Sequence, residues 1–244
     1  MRNTLFGVPA SHPTLAAELM LRRKGIPYER IDLIAAMHKP LVRAFGFPGM
    51  TVPALLLDGQ HLQGSRTISR ALDALVPEPP LFPADPERRS EVERAELWGD
   101  LVLQPAARRL AWAALKRDHS TIGSFLEGAR TGIPLGVAVR LAPPVIWVAA
   151  CANRAGSRSQ RRDLAALPQM LDSVDALVDR GVVGGPEPNA ADYQLATSLR
   201  LMMAQDDLRP LIEPRPAGRM ALDVVREFGG RVGPVFPAEW LPAG

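Results

Sequence analysis

The segment from Thr51 to Ser69 (TVPALLLDGQHLQGSRTIS) constrains the possible folds of this chain more than any other segment does. A Val-Pro step leads into an apolar run, Asp58-Gly59 supplies a two-residue turn, and a second short run follows. Asp-Gly between two apolar runs is a strong signal for a β-hairpin, because both turn residues need a positive φ. The Gly64-Ser65 pair that follows is typical of a helix start. The segment therefore predicts a hairpin that leads directly into a helix.

Two residues of this segment are candidates for binding a ligand. Pro53 is predicted either to begin a strand or to form a turn through a cis bond, and either geometry leaves the backbone groups of Val52 free. Ser65 is expected to cap the helix that contains Ile68 and Leu72. The first N–H groups of a helix have no intrahelical acceptor and carry a partial positive charge, which suits a carboxylate. Ser65 is thus a candidate anion ligand, although capping its own helix is the more common role for such a serine.

The residues before and after this segment extend the pattern. Leu5-Phe6 predicts a strand, and apolar spacing predicts further elements at 14–24 (helix), 28–33 (strand) and 38–45 (short helix). With the hairpin and its helix, the predicted order is βαβαββα. Five prolines, at positions 77, 79, 80, 83 and 86, then exclude a helix or a central strand. We therefore expect an α/β domain at 1–76, a Pro-rich linker at 77–86 and a second domain at 87–244.

The second domain shows helical periodicity only. Apolar residues recur at spacings of three and four along 88–115, where Pro105 is expected to kink a long helix, and along 163–178. Asn189 followed by Asp192 is a variant of the capping box that begins a helix. The most apolar stretch, 133–151, is interrupted by Arg140 and by two prolines. We interpret it as a buried helix pair rather than a membrane span, with Cys151 as an inert core thiol.

Composition excludes several classes of partner. The net charge is +3, and the arginines concentrate only at 154–162, a segment without interleaved aromatic residues that is better interpreted as a solvated loop than as a nucleic-acid site. The four histidines, at 12, 38, 61 and 119, lack the spacing of metal ligands. No targeting segment precedes the first strand, which predicts a cytoplasmic protein. We expect no metal, no nucleic acid and no membrane partner.

Six segments carry a resemblance to a known family. They read LFGVPASHP, LRRKGIPYERIDL, TVPALLLDG, GSRTISRALDAL, PEPPLFPADPERRSEVERAELW and GGPEPNAADYQLATSLRLM. In this order they resemble the cytosolic glutathione S-transferase superfamily. The resemblance implies a thioredoxin-like N-terminal domain, an all-α C-terminal domain and a symmetric homodimer. It also implies a transferase, of the kind used in detoxification, that adds a low-molecular-weight thiol to an electrophile, with no tightly bound cofactor.

The same resemblance implies a set of site residues. Ser11 matches the position of the hydroxyl that stabilises the thiolate, although it is alternatively only the N-cap of its helix. The other positions are implied to hold glutathione or a related thiol. They are Val52 and Pro53 at its cysteinyl part, Ser65 at a carboxylate with Gly64 and Arg66 beside it, and His38 and Lys39 at the glycyl carboxylate.

Two departures from the family pattern concern the identity of the thiol. Gly64 stands where most relatives have Glu or Gln, and Thr51 where a basic residue is common. The thiol is therefore either glutathione or a different bacterial thiol such as mycothiol. Alternatively, the chain is a noncatalytic ligand-binding or assembly module on the same scaffold. An isomerase or lyase that reuses the thiol is not distinguished, whereas a thiol-disulfide reductase would need a cysteine near Ser11, and none is present.

Overall fold

The computed structural model describes residues 3–35 and 37–242. Residues 1, 2, 36, 243 and 244, which the predicted domain ranges include, lie outside the described residues. The chain begins with β1 (Thr4–Gly7), α1 (His12–Arg23), β2 (Glu29–Asp32), α2 (His38–Ala44), β3 (Ala54–Leu57), β4 (Gln60–Gln63) and α3 (Ser65–Leu75). The predicted order βαβαββα is confirmed.

The four strands form one mixed sheet in the order β2-β1-β3-β4. β1 pairs with β2 in parallel and with β3 in antiparallel register, so that Leu5 lies opposite Leu55. Because successive strand residues point to opposite faces, Leu5 and Leu55 pack with residues of α1 and α3, whereas Phe6 packs with Val42 of α2 on the other face. The sheet is thus covered by helices on both faces.

The hairpin has the predicted turn. Asp58 and Gly59 have φ values of 48° and 84°, and the bond between Val52 and Pro53 is cis. The prediction that Ser65 caps α3 is wrong, because Gly64 is the N-cap and Ser65 is the first helical residue. Gly64 has φ 85° and ψ 144°, a conformation essentially restricted to glycine. The backbone at this helix start therefore accounts for the glycine.

In the rest of the described chain, the regular secondary structure is helical apart from a single bridge between Gln205 and Val232. Its helices are α4 (Pro86–Trp98), α5 (Gln104–Arg117), α6 (Ile122–Leu126), α7 (Leu135–Ala152), α8 (Ser157–Asp179), α9 (Ala190–Met203), α10 (Arg209–Ile212) and α11 (Pro216–Val224). Every residue of α9 is buried, and the predicted capping box of Asn189 and Asp192 begins it. The predicted fold class, a thioredoxin-like part followed by an all-α part, is confirmed.

The long helix predicted at 88–115 is divided between α4 and α5. One π-helical turn, Gly99–Leu103, joins them, and Pro105 lies in the first turn of α5. A proline removes one N–H donor and clashes with the preceding turn of a regular helix. The wider π turn accommodates that break without ending the helical path.

The interpretation of 133–151 as a buried helix pair is wrong. The segment forms one helix, α7, which includes Pro143 and Pro144 and is long and apolar enough to cross a membrane by length and composition. Only 22% of it is buried, and Cys151, predicted to be a core thiol, is exposed. Apolar composition predicts burial only where other elements pack on the helix, and most of the α7 surface has no such neighbour.

Candidate functional site

A cavity of about 550 Å³ lies between the strand-containing part and helices α5 and α7. One face of α5 contributes Arg108, Trp112 and Leu115, and one face of α7 contributes a series of mainly small and aliphatic residues. The α7 residues are Ala138, Leu141, Ala142, Val145, Ile146, Ala149 and Ala152. Both series follow the three- and four-residue spacing of a helix face. The size is within the range of small-molecule sites.

Ser11 lines this cavity at the start of α1. As N-cap, it has extended backbone, and its Oγ accepts hydrogen bonds from the backbone N–H of Thr14 at 3.4 Å and from the Thr14 hydroxyl at 2.9 Å. A hydroxyl offers two lone pairs and one hydrogen. Because both bonds use the oxygen as acceptor, the Ser11 hydrogen is left for a third partner. The structure confirms the capping role, and the catalytic role stays a prediction.

Val52 and Thr51 line the same cavity. A cis bond joins Val52 to Pro53, the residue before β3. The carbonyl oxygen of Pro53 accepts a hydrogen bond from the backbone N–H of Gly64 at 2.9 Å. Within the described part of the chain, no hydrogen bond uses the Val52 backbone. The prediction that Val52 has free backbone groups is therefore confirmed, although its thiol partner stays a prediction.

The charged residues of the lining are basic. His38 and Lys39, both predicted from the resemblance, lie at the start of α2 and line the cavity with His12 and Arg108. Burial lowers the pKa of His38, and the charges of Lys39 and Arg108 lower it further. Among the residues that the structure describes, none with a carboxylate side chain lines this cavity. The cavity thus combines apolar walls with a few hydroxyl and amide groups, and its charged side chains are basic only.

His12 and Arg108 also line the cavity, and neither was predicted from the sequence. His12 is only 2% exposed, and burial holds its pKa well below the usual range; the Arg108 charge acts in the same direction, and a hydrogen bond with the Gln104 backbone opposes it. Nε2 of His12 and Nδ1 of His38 have no hydrogen-bond partner within residues 3–35 and 37–242. The available signal was the spacing of Arg108, Trp112 and Leu115 on one helix face.

The structure does not bring the predicted cradle residues into this cavity. Ser65 is 4% exposed, and its hydroxyl donates to Oε1 of Gln194 at 2.8 Å. Arg66 faces Glu96 of α4, with Nε 3.8 Å from Oε2. Pro53 and Gly64 also lie outside the lining. Local sequence could not reveal this, because both acceptors belong to helices that are distant in the chain.

A second cavity, of about 620 Å³, shares Ser11 with the first but has a different character. Its lining carries charges of both signs, and Glu18 pairs with Arg22 at 2.7 Å and with Arg30 at 2.6 Å. Among the described residues, no group of three or more His, Cys, Asp or Glu side chains could hold a metal ion. The first cavity, which contains Ser11, Val52, His38 and Lys39, is therefore the candidate site.

Known proteins resemble this chain in its N-terminal part and in its fold. Residues 5–80 match the family model of the glutathione S-transferase N-terminal domain. A search of curated proteins by sequence gives no match.

Solved structures match over nearly the whole chain. A Tau class glutathione S-transferase from mango, Mangifera indica, has a TM-score of 0.64 at 13% identity, with 93% of this chain and 89% of that chain covered. A glutathione S-transferase from Sinorhizobium meliloti 1021 has a TM-score of 0.60 at 18% identity, with 94% and 96% covered. One from Rhodospirillum rubrum F11 has a TM-score of 0.57 at 19% identity, with 98% and 97% covered. At these identities the likeness concerns the fold. Residues 5–80 thus match the glutathione S-transferase N-terminal domain, and the chain as a whole has the fold of the glutathione S-transferases.

Proposed function

We propose that this protein is a glutathione S-transferase-like enzyme that adds the sulfur of a low-molecular-weight thiol, glutathione or mycothiol, to small apolar electrophiles. The observation that carries the proposal is the hydrogen bonding of Ser11. Its oxygen accepts both of its hydrogen bonds, from Thr14, so its own hydrogen is available to the cavity. The matches to glutathione S-transferases support the same activity.

The chemistry follows from the position of Ser11. A hydroxyl that donates to sulfur stabilises the thiolate and lowers the pKa of the thiol, and the N-terminus of α1 adds a partial positive charge. The thiol proton leaves to solvent. The thiolate then forms a bond to an electrophilic carbon, while the bond from that carbon to a halide breaks or an epoxide ring opens.

The other residues of the cavity bind the thiol and the electrophile. In the proposal, the free backbone groups of Val52 pair with the cysteinyl part of the thiol, and Lys39 and His38 face its carboxylate. The apolar faces of α5 and α7 hold the electrophile and exclude water from the sulfur. Ser65 and Arg66 are less suited to a carboxylate, because their side chains already face Gln194 and Glu96.

The proposal is tested by assaying conjugation of glutathione and of mycothiol to chlorodinitrobenzene and to an epoxide. We expect turnover with at least one thiol. Ser11→Ala should raise the pKa of the bound thiol, measured from the ultraviolet absorbance of the thiolate, and lower kcat/KM about tenfold or more. Binding of a thiol without turnover would instead favour the noncatalytic module.

A second variant distinguishes a catalytic role of Ser11 from a role as helix cap only. Ser11→Asp keeps an N-cap acceptor but replaces the hydroxyl with a negative charge. It should unfold at the same urea concentration as the native chain and lose turnover. If Ser11→Asp retained conjugation, Ser11 would be only a cap. The homodimer, the cytoplasmic location and the absence of nucleic-acid and membrane partners stay predictions.

A further inference from the structure

Helix α7 has a long apolar face that points away from the rest of the protein. Leu141 is 59% exposed and Trp147 is 57% exposed. Val137, Pro144 and Val148 are also exposed and lie on the same side, because they follow the three- and four-residue spacing of a helix face. We call these five residues the outer face of α7. A soluble protein rarely leaves a contiguous apolar surface of this kind exposed unless something binds to it.

The segment that contains this face carries positive charge only. Residues 128–162 include six arginines and no Asp or Glu. All six are exposed: Arg130, Arg140, Arg154, Arg158, Arg161 and Arg162. Two of them have partners, since Arg162 pairs with Asp163 at 3.1 Å and Arg161 lies over the ring of Trp240. Within the part of the chain that the structure describes, none of the other four forms an ion pair with a carboxylate.

We propose that the outer face of α7 binds the surface of an anionic phospholipid bilayer. An apolar helix face that includes a tryptophan, with arginines close by in the chain, is the pattern of helices that lie in the membrane interface. The five apolar side chains enter the boundary between headgroups and acyl chains. Arg140, Arg154 and Arg158 face the phosphates of the lipid headgroups. This binding does not depend on the proposed enzymatic function.

The packing of α7 favours a helix that lies along the bilayer rather than one that crosses it. Ala142, Ile146 and Ala149 are buried on the opposite side of the helix, where they line the candidate cavity beside α5. A helix that crossed the bilayer would have to lose these contacts and would open the cavity. In the proposed arrangement α7 therefore keeps its place in the fold and buries only its outer face in lipid.

The charge of this segment favours lipid over a second copy of the chain as the occupant. A twofold symmetric dimer through the outer face would set that face against itself. The arginines of the two copies would then approach one another, and 128–162 contains no carboxylate to compensate them. An anionic bilayer supplies both an apolar layer and the opposite charge. The inference replaces the prediction of no membrane partner, which assumed that 133–151 is buried.

Binding is tested by flotation of the protein with vesicles of phosphatidylcholine, alone or mixed with phosphatidylglycerol. The native chain should bind the mixed vesicles about tenfold or more tightly than the neutral ones, and added salt should reduce this difference. Arg154→Gln combined with Arg158→Gln should lower the affinity for the mixed vesicles about tenfold or more. Arg88→Gln combined with Arg94→Gln, at exposed residues of α4, should leave it unchanged. Absence of binding, or equal affinity for the two kinds of vesicle, would overturn the inference.

The apolar contribution is tested at the outer face itself. Trp147→Gln combined with Val148→Gln should weaken binding to the mixed vesicles about tenfold or more, since less apolar area enters the lipid. Leu75→Gln, at an exposed residue of α3, is the control and should bind as the native chain does. Urea unfolding at the native midpoint verifies that each variant is folded. If the native chain did not float and the double variant dissociated an oligomer in analytical ultracentrifugation, the face would belong to a second copy and the inference would be wrong.

Tryptophan fluorescence locates the contact and its depth. Phospholipids brominated close to the headgroup should quench the fluorescence of the native chain, because a helix in the interface buries its apolar face only about 5–10 Å deep. Trp147→Phe should abolish this quenching. Quenching that persists in Trp147→Phe would place the contact on another surface, and quenching that is strongest with bromine at the end of the acyl chain would show a crossing helix. Either result would contradict the proposed arrangement.

Discussion

The Ser65 hydroxyl donates a 2.8 Å hydrogen bond to Oε1 of Gln194, which joins the first residue of α3 to the central helix α9. Nε2 of Gln194 donates in turn to Oε1 of Gln104 at 2.9 Å, so the connection continues to α5. All three side chains are buried. The polar groups at this helix start thus connect the sheet-containing part to the helical part.

This contact predicts a structural role for Ser65. Ser65→Ala removes the hydroxyl and leaves the buried Oε1 of Gln194 without its donor, which should lower the free energy of unfolding by about 1–3 kcal/mol. Urea denaturation measures this change, and Ser157→Ala, at an exposed residue of α8, serves as control. The thiol KM should not change. A raised KM at unchanged stability would show instead that Ser65 holds the thiol carboxylate.

His12 predicts a pH dependence of stability. Its pKa in the folded protein lies well below 6.5, because burial and then Arg108 disfavour the charged ring. Below about pH 6.5 the unfolded chain binds a proton that the folded protein does not, so the free energy of unfolding falls as the pH drops. Above that pH both states are neutral, and the contribution to the pH dependence vanishes.

His12→Gln should therefore make the loss of stability between about pH 7 and pH 5 shallower, by up to about 1.4 kcal/mol per pH unit. Urea unfolding at a series of pH values measures the slope. His38, whose pKa is also lowered, contributes in the same direction, so the slope should decrease without reaching zero. His119→Gln, at an exposed residue, is the control. An unchanged slope in His12→Gln would contradict the burial of a neutral ring.

Replacement of Lys24 is expected to lower the stability of the protein strongly. Its side chain is fully buried, and Nζ donates to Asp73 Oδ1 at 2.8 Å and to the carbonyl oxygens of Val76 at 2.6 Å and Pro79 at 2.7 Å. Lys24→Met would leave a partly buried carboxylate and two carbonyls without this donor, which should cost about 3–5 kcal/mol. Thermal and urea unfolding measure the loss. The control is Lys116→Met, at an exposed residue of α5, which should change the free energy of unfolding by less than about 0.5 kcal/mol. An equally small effect of Lys24→Met would show that Lys24 does not hold the segment after α3 in place.

Substitution by alanine is expected to have opposite effects on stability at two glycines. A Cβ on Gly218 would lie 2.0 Å from the backbone oxygen of Ile212, whereas a Cβ on Gly136 in α7 would meet no atom within 4 Å. Gly218→Ala should destabilise by about 1–3 kcal/mol, since backbone must move. Gly136→Ala should stabilise by about 0.5–1 kcal/mol, because alanine loses less conformational entropy in a helix. Melting temperatures of the two variants that shift in the same direction would contradict this difference.

Much of the fold could be predicted from local patterns. The hairpin turn depends on two adjacent residues, Asp58 and Gly59, and the capping box on Asn189 and Asp192, so each is encoded within a few positions. Burial of 133–151 was predicted wrongly, because hydropathy does not indicate which elements pack on a helix. The basic lining was predicted in part, since His38 and Lys39 follow from a resemblance and Arg108 does not.

The sequence by itself determined the order of strands and helices in the N-terminal part, the Asp58-Gly59 hairpin turn and the presence of Ser11 at a helix start, because these depend on backbone preferences and short-range hydrogen bonds. Only the tertiary structure decided that the Ser65 hydroxyl faces Gln194 and that Arg108 shares a cavity with Ser11. Those relationships join residues that are roughly a hundred positions apart. They arise when helices pack, a long-range event that local composition does not specify.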